Sequence, residues 1–223
     1  MIRIYTFALV RDVARGLVRD LRVRWALEEA GLPYEVKLIE LGAGQADPEY
    51  RKLQPFGQVP AYEEDGVQLF ESGAIVQHIA ERCGTLLPTD PAGRARTITW
   101  MYAALCTIEP KVQNLTLLEV FHMEEEWAKL RRPAATFAVR RRLAELAERL
   151  GKNDYLADNR FTAADLLMTT VLRILRHGNL VAEQPALAAY QARCEARPAF
   201  RKALADQIAV YDEVQRGTET AGQ

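Results

Sequence analysis

The sequence predicts an α/β domain followed by an all-α domain. Two observations indicate this division. Short strand-like segments alternate with helical segments only within residues 1–83, and residues 92–223 show helical patterns alone. Between them, residues 84–91 contain Pro and Gly and are predicted to be a short linker.

The first half of the α/β domain has the pattern of a strand, a helix and a second strand. Residues 2–7 are rich in β-forming side chains and predict the first strand. Apolar residues recur at roughly helical spacing over residues 17–30, and Gly31 then predicts the end of that helix. Residues 34–41 predict the second strand. This order indicates parallel pairing of the two strands through a right-handed crossover.

The second half of this domain contains turn and cap signals. Asp47 and Pro48 predict a short helix, as its cap and its first residue. Asp65 and Gly66 separate two short strand-like segments and predict a hairpin. Ser72 is predicted to cap a further helix. The resulting order, β-α-β-α-β-β-α, describes a thioredoxin-like unit.

The all-α domain is divided by proline and by cap signals. Residues of these types are typical of helix N-termini, and Thr162 with Asp165 has the spacing of a capping box. Helices are therefore predicted to begin at Pro91, Pro133, Thr162, Pro185 and Pro198.

Composition and charge exclude several classes of protein. The chain is 49% hydrophobic and 26% charged, as in ordinary globular proteins, and its net charge of −1 provides no overall field toward nucleic acid or an anionic membrane. No apolar run approaches the ~20 residues of a membrane helix. The chain has three cysteines, Cys83, Cys106 and Cys194. Because they are odd in number and far apart, they argue against a disulfide scaffold and against a cysteine-based zinc site. We expect a cytoplasmic enzyme or binding module without a metal.

Four segments, in order and at the right spacing, resemble the cytosolic glutathione transferases. They are residues 25–33 (WALEEAGLP), 56–61 (FGQVPA), 71–75 (ESGAI) and 159–165 (NRFTAAD). The resemblance covers nearly the whole chain. It implies a detoxification enzyme that binds reduced glutathione as co-substrate and transfers its thiolate to a small hydrophobic electrophile. It also implies a homodimer in which the first domain of one subunit packs against the helical domain of the other.

The resemblance assigns glutathione binding to Gln58, Val59, Pro60, Glu71 and Ser72. It implies a cis Val59–Pro60 bond and a Val59 backbone that pairs with the cysteinyl part of glutathione; the alternative is an ordinary trans proline. A serine at a helix N-terminus offers donors to a carboxylate, and Glu71 accepts from an ammonium group, so the pair fits the γ-glutamyl end. The alternative is a serine that only caps the helix. Gln58 stands where the family often has a polar residue that reaches the tripeptide.

The usual catalytic group of the family is missing. A thiol with a pKa near ~8.5 needs a nearby donor or cation to ionise at neutral pH, and the family typically uses Ser, Cys or Tyr near the end of the first strand. That position falls near Leu9 or Val10 when counted from the strand and near Leu17 when counted from the helix, with no hydroxyl or thiol at any of them. Residues 10–16 are extra chain between these positions.

Other groups are therefore candidates for activating the thiol. Tyr5 lies where tyrosine-type members place their donor, although in other members a tyrosine there only packs. Arg15 or Arg11 would favour the thiolate electrostatically; the alternative is a solvated loop. Thr6 and a backbone N–H at the start of the first helix are further options.

The resemblance also implies an electrophile pocket between the two domains. Its candidate residues by position are Val10, Tyr102, Cys106 and Glu109, with core packing as the alternative.

Two other functions are alternatives to conjugation. One is glutathione-dependent reduction of disulfides or peroxides. The other is a binding or regulatory function without catalysis.

Overall fold

The computed structural model describes residues 1–221 and divides into two compact units. One unit contains Met1–Leu86 and the segment from Arg197 onward, and the other contains Leu87–Ala196. The last helix therefore belongs with the N-terminal unit, whereas the predicted boundaries placed it in the helical domain. No helix within residues 1–221 has both the length and the apolar composition needed to cross a membrane.

A mixed four-stranded sheet forms the centre of the first unit. Its strands are β1 (Ile2–Phe7), β2 (Tyr34–Ile39), β3 (Ala61–Glu64) and β4 (Val67–Phe70), in the order β2-β1-β3-β4. β1 and β2 are parallel, and the other neighbours are antiparallel. The predicted crossover and hairpin are both present, and the thioredoxin-like fold is confirmed.

The helices of Met1–Leu86 are α1 (Asp20–Ala30), α2 (Ala43–Ala46), α3 (Pro48–Leu53) and α4 (Ser72–Cys83). α1 ends at Gly31, whose φ of 64° is easily adopted by glycine. Its start was predicted too early, since the Leu17 N–H donates to the Ala14 carbonyl in a preceding turn at 2.9 Å. Asp47 caps α3 as predicted, accepting from the Glu49 N–H at 2.8 Å.

The second unit is helical, with α5 (Pro91–Tyr102), α6 (Glu109–Thr116), α7 (Glu126–Leu150), α8 (Ala163–Leu172) and α9 (Pro185–Glu195). π-helical turns, Ala103–Ile108 and Leu117–Phe121, flank α6, and a short 3-10 turn, Arg173–Leu175, follows α8.

The predicted helix start at Pro133 is wrong, because Pro133 lies inside α7. Proline lacks the N–H that an interior helical position uses, so the sequence alone favours a start there. Ala128 before it and Ala135 and Val139 after it are buried at helical spacing on one face. This shared buried face holds the helix together across the proline.

α10 (Pro198–Ala221) packs along α1. The rings of Trp25 and Phe200 lie 4.7 Å apart in an edge-on arrangement. Arg197, just before α10, binds both carboxylate oxygens of Glu29 at 2.5 and 2.7 Å. Aromatic packing and a bidentate ion pair therefore attach the end of the chain to the first helix.

The buried carboxylate of Asp165 organises the start of α8. It accepts hydrogen bonds from the Thr162 N–H at 2.9 Å, the Leu156 N–H at 2.9 Å and the Tyr190 hydroxyl at 3.1 Å. Burial raises the pKa of Asp165, and these hydrogen bonds oppose the rise. The predicted pairing of Thr162 with Asp165 at the helix start is confirmed.

We expect Asp165→Ala to lower the free energy of unfolding by about 3 kcal/mol, because several buried donors lose their acceptor. Asp154→Ala, which breaks an exposed ion pair with Arg193, should cost less than about 1 kcal/mol. Urea unfolding of both variants measures the difference. Equal stability of the two variants would show that the Asp165 network contributes little.

Candidate functional site

The segment before β3 presents an unpaired backbone. The Val59–Pro60 peptide bond is cis, as the resemblance implied. In the part of the chain that the structure describes, neither the N–H nor the carbonyl of Val59 makes a backbone hydrogen bond. An extended peptide can pair with such a backbone as an added strand would.

The hairpin places this segment beside the start of α4. Ala61 on β3 pairs with Phe70 on β4. Pro60 immediately precedes the first residue of this pair, and Glu71 immediately follows the second. The register therefore brings Val59–Pro60 and Glu71–Ser72, which are distant in sequence, next to each other.

Glu71 and Ser72 have distinct roles at the start of α4. Ser72 is the first helical residue rather than the cap, and Glu71 precedes it with a φ of 67° and a ψ of 112°. A positive φ at a residue other than glycine costs about 1–3 kcal/mol, and such strain is concentrated at ligand sites. The first N–H groups of α4 have no partner within the helix and favour an anion.

Arg22, which the sequence prediction missed, contacts a candidate site residue. Its Nη1 donates to the Ser72 hydroxyl at 3.1 Å, and both side chains are buried. A cation therefore lies at the positive end of α4, and the two together would attract a carboxylate. The available signal was one of several charged residues on α1, and it does not identify its partner.

The loop that contains Gln58 is held by its neighbours. The Tyr50 hydroxyl donates to the Gln58 carbonyl at 2.5 Å, and the Gln45 side chain donates to the Gly57 carbonyl at 2.8 Å. Gly57 has a φ of 61°, and an added Cβ would lie 2.6 Å from the Gln45 carbonyl oxygen, so only glycine fits. The Gln58 side chain is exposed and available to a ligand.

Tyr5 has a different partner from the one that catalysis would need. Its hydroxyl donates to the Glu63 carboxylate, and burial together with Glu63 raises the pKa of Tyr5 to about 12. Tyr5 lies opposite Ala61, whereas Glu63 lies opposite Arg3. The hydroxyl is thus directed toward the start of β1 and away from Pro60. This geometry disfavours Tyr5 as the group that activates a thiol.

Arg15 is held in place rather than freely solvated. Its guanidinium binds the Asp212 carboxylate and lies 5.8 Å from the centre of the Tyr211 ring. Its Nε–H is buried and has no hydrogen-bond partner among the described residues. The structure therefore places one cation of the Val10–Gly16 segment in a fixed position.

The other candidates for activation are less favourable. Arg11 is exposed, and Thr6 is fully buried on β1. The Leu17 N–H already donates to the Ala14 carbonyl.

The predicted electrophile residues are distributed over both units. Val10 is half-buried in the first unit. In the second, Tyr102 and Cys106 are exposed, whereas Glu109 is buried and accepts from Gln113 at 3.0 Å. The pocket stays a prediction. Among the residues described here, no three His, Cys, Asp or Glu side chains form a group that could hold a metal ion.

Two family models match the chain. Residues 14–81 match the glutathione S-transferase N-terminal domain, and residues 109–198 match the glutathione S-transferase C-terminal domain. The first match lies within the N-terminal unit, and the second lies within the helical unit except for its last two residues.

Individual relatives agree with these matches. A glutathione S-transferase of Hyoscyamus muticus is 31% identical over 196 residues, which cover 82% of this chain and 92% of the relative. The disulfide-bond oxidoreductase YfcG of Escherichia coli is 29% identical over 188 residues, covering 80% and 86%. A Burkholderia graminis glutathione transferase, solved with two glutathione molecules bound per subunit, is 30% identical with a TM-score of 0.80, covering 91% and 87%. The chain belongs to the cytosolic glutathione transferase family.

Proposed function

We propose that this protein binds reduced glutathione in its first unit and transfers the thiolate to a small hydrophobic electrophile. The observation that carries this proposal is the register that sets the unpaired Val59 backbone beside Glu71–Ser72. The Val59 backbone can pair with a peptide backbone. Glu71 and Ser72 can bind a group that carries both a carboxylate and an ammonium. Glutathione contains both parts.

Each part of glutathione has a partner in this arrangement. The cysteinyl backbone pairs with the N–H and carbonyl of Val59. The γ-glutamyl carboxylate binds the Ser72 hydroxyl and the first N–H groups of α4, with Arg22 adding positive charge. The γ-glutamyl ammonium binds the Glu71 carboxylate, and Gln58 contacts the tripeptide from the neighbouring loop.

Arg15 is the proposed group that activates the thiol. A cation near the sulfur stabilises the thiolate and so lowers the pKa of the thiol. The thiol proton leaves to solvent, the sulfur attacks the electrophilic carbon, and the leaving group departs with its bonding electron pair. No protein hydroxyl is required for this step.

Disulfide reduction is a second candidate function. The relative from E. coli carries the name of a disulfide-bond oxidoreductase, and the Burkholderia structure holds two glutathione molecules per subunit. In that reaction one thiolate attacks the disulfide and releases a thiol, and a second glutathione then releases the other half. Two glutathione molecules become glutathione disulfide, and no protein cysteine is needed. A binding protein without catalysis is a third possibility.

We expect wild-type protein to bind glutathione in a calorimetric titration. Ser72→Ala should weaken binding by about ten- to a hundredfold, since a hydrogen bond to a charged group contributes about 1.5–3 kcal/mol. Glu40→Gln, which changes an exposed carboxylate after β2, should bind as wild type does.

Two activity assays separate the candidate functions. Conjugation of a chlorodinitrobenzene-type electrophile supports the transferase, and reduction of a mixed disulfide supports the reductase. Binding with neither activity would favour the non-catalytic role, and the absence of glutathione binding would overturn the proposal.

The pH dependence of turnover distinguishes Arg15 from Tyr5. Without the Arg15 cation the bound thiol should have a higher pKa, nearer the ordinary ~8.5, so less thiolate exists at neutral pH. We expect Arg15→Ala to shift the acid limb of kcat to higher pH by about one unit and to slow turnover at pH 7 about tenfold. Tyr5→Phe should leave the limb unchanged; a shift in that variant alone would transfer the role to Tyr5.

We also propose that the protein is a homodimer. α7 exposes Leu130 and Phe137 by 74% and 68%, at a spacing that puts them on one face. In the first unit, Phe56 is 62% exposed and its ring lies 6.0 Å from that of Phe70. Exposed apolar patches mark interaction surfaces, and one on each unit fits the family's packing of the first domain on the partner's helical domain.

We expect Phe137→Ser to convert dimers to monomers in sedimentation experiments, because it removes the aromatic side chain from this exposed apolar face. Leu41→Ser, at a position that is 60% exposed after β2, is the matched control and should leave the dimer intact. Dimerisation unchanged by Phe137→Ser would exclude this face of α7 from the interface.

A further inference from the structure

The Val10–Gly16 segment is attached to the last helix. After a short 3-10 turn, Asp12–Ala14, the chain reaches Arg15, whose Nη2 binds the Asp212 carboxylate and lies 3.4 Å from the Ile208 carbonyl oxygen. The guanidinium also lies 5.8 Å from the centre of the Tyr211 ring. α10 thus provides a carboxylate, a carbonyl and an aromatic ring for one arginine.

α10 is in turn fixed to the first turn of α1. The Gln207 side chain donates to the Asp20 carboxylate at 2.6 Å and to the Val18 carbonyl at 3.1 Å. Asp20 also accepts a hydrogen bond from Arg24 at 2.8 Å. The side chains of Asp20, Arg24 and Gln207 are all buried. Gln207 and Tyr211 are one helical turn apart, so the helix that holds Arg15 is anchored beside it.

One buried donor of Arg15 is unsatisfied. Its Nη2 is engaged by α10, whereas its buried Nε–H has no hydrogen-bond partner among the described residues. A buried donor without an acceptor destabilises the folded state and is uncommon in native structures.

We propose that Asp212 is a positioning residue that holds the Arg15 guanidinium for the thiolate of bound glutathione. The extra segment Val10–Gly16 brings the cation to the site, and α10 fixes its orientation. Together they replace the hydroxyl or thiol that the family typically uses and that Leu9, Val10 and Leu17 lack. This inference rests on the proposed function.

The experiment measures the pKa of the bound glutathione thiol from the ultraviolet absorbance of its thiolate in each variant. Asp212→Ala removes the carboxylate that orients the guanidinium, so we expect the thiol pKa to rise by about one unit and kcat at pH 7 to fall about tenfold. The dissociation constant of glutathione should stay within about twofold of the wild-type value, because the backbone and γ-glutamyl contacts remain.

Asp12→Ala is the matched control. Asp12 is the other carboxylate near Arg15, at 3.8 Å from Nη1, and its side chain is 94% exposed. Its removal should leave the thiol pKa unchanged. The double variant Arg15→Ala/Asp212→Ala should match Arg15→Ala alone, because a positioning residue has no effect without the group it positions.

The outcomes separate this inference from the proposed function. If wild-type protein does not bind glutathione, the proposed function fails. If wild-type protein binds it with a lowered thiol pKa and Asp212→Ala behaves as wild type does, only the positioning role of Asp212 is overturned. Additive effects of the two substitutions would also overturn it. Thermal unfolding of each variant identifies any loss that is due to misfolding, and Asp212→Glu should then restore the lowered thiol pKa.

Discussion

The fully buried carboxylate of Asp20 is the constraint that orders the first unit around the end of β1. Burial raises the pKa of Asp20, and Arg24 opposes that rise through its charge and its hydrogen bond. A buried charge that lost such partners would cost about 3–5 kcal/mol. Arg24 lies on α1 and Gln207 lies on α10, and both donate to the Asp20 carboxylate. The hydrogen bonds of this one carboxylate therefore connect the two helices. The position of Arg15 then follows from the position of α10.

Local signals in the sequence predicted most of the fold. Asp47 and Asp165 were identified as helix-start residues because a cap needs only partners a few residues away. Asp65–Gly66 was identified as a hairpin for the same reason, and its register then determines what lies beside Val59–Pro60. The resemblance supplied the residues expected to bind glutathione, and the hairpin explains why two separate motifs are adjacent.

Features that depend on distant partners could not be predicted. Arg22 looked like one more polar residue on α1 until the fold placed it on the Ser72 hydroxyl. Pro133 has a strong local preference for a helix start, and the shared buried face of α7 overrides it. The last helix has the helical pattern that was predicted, but its unit is decided by partners such as Glu29. Periodicity identifies a helix and does not identify the surface on which it packs.

The missing hydroxyl illustrates the same limit in the chemistry. A hydroxyl donor acts from a short side chain, so its position in the sequence nearly fixes its position in the site. An arginine carries its charge at every physiological pH and reaches the site on a long, flexible side chain. Its effect on a bound thiol therefore depends on what holds the guanidinium. Here that partner is Asp212, 197 residues away in the sequence, so no local motif indicates how the guanidinium is held.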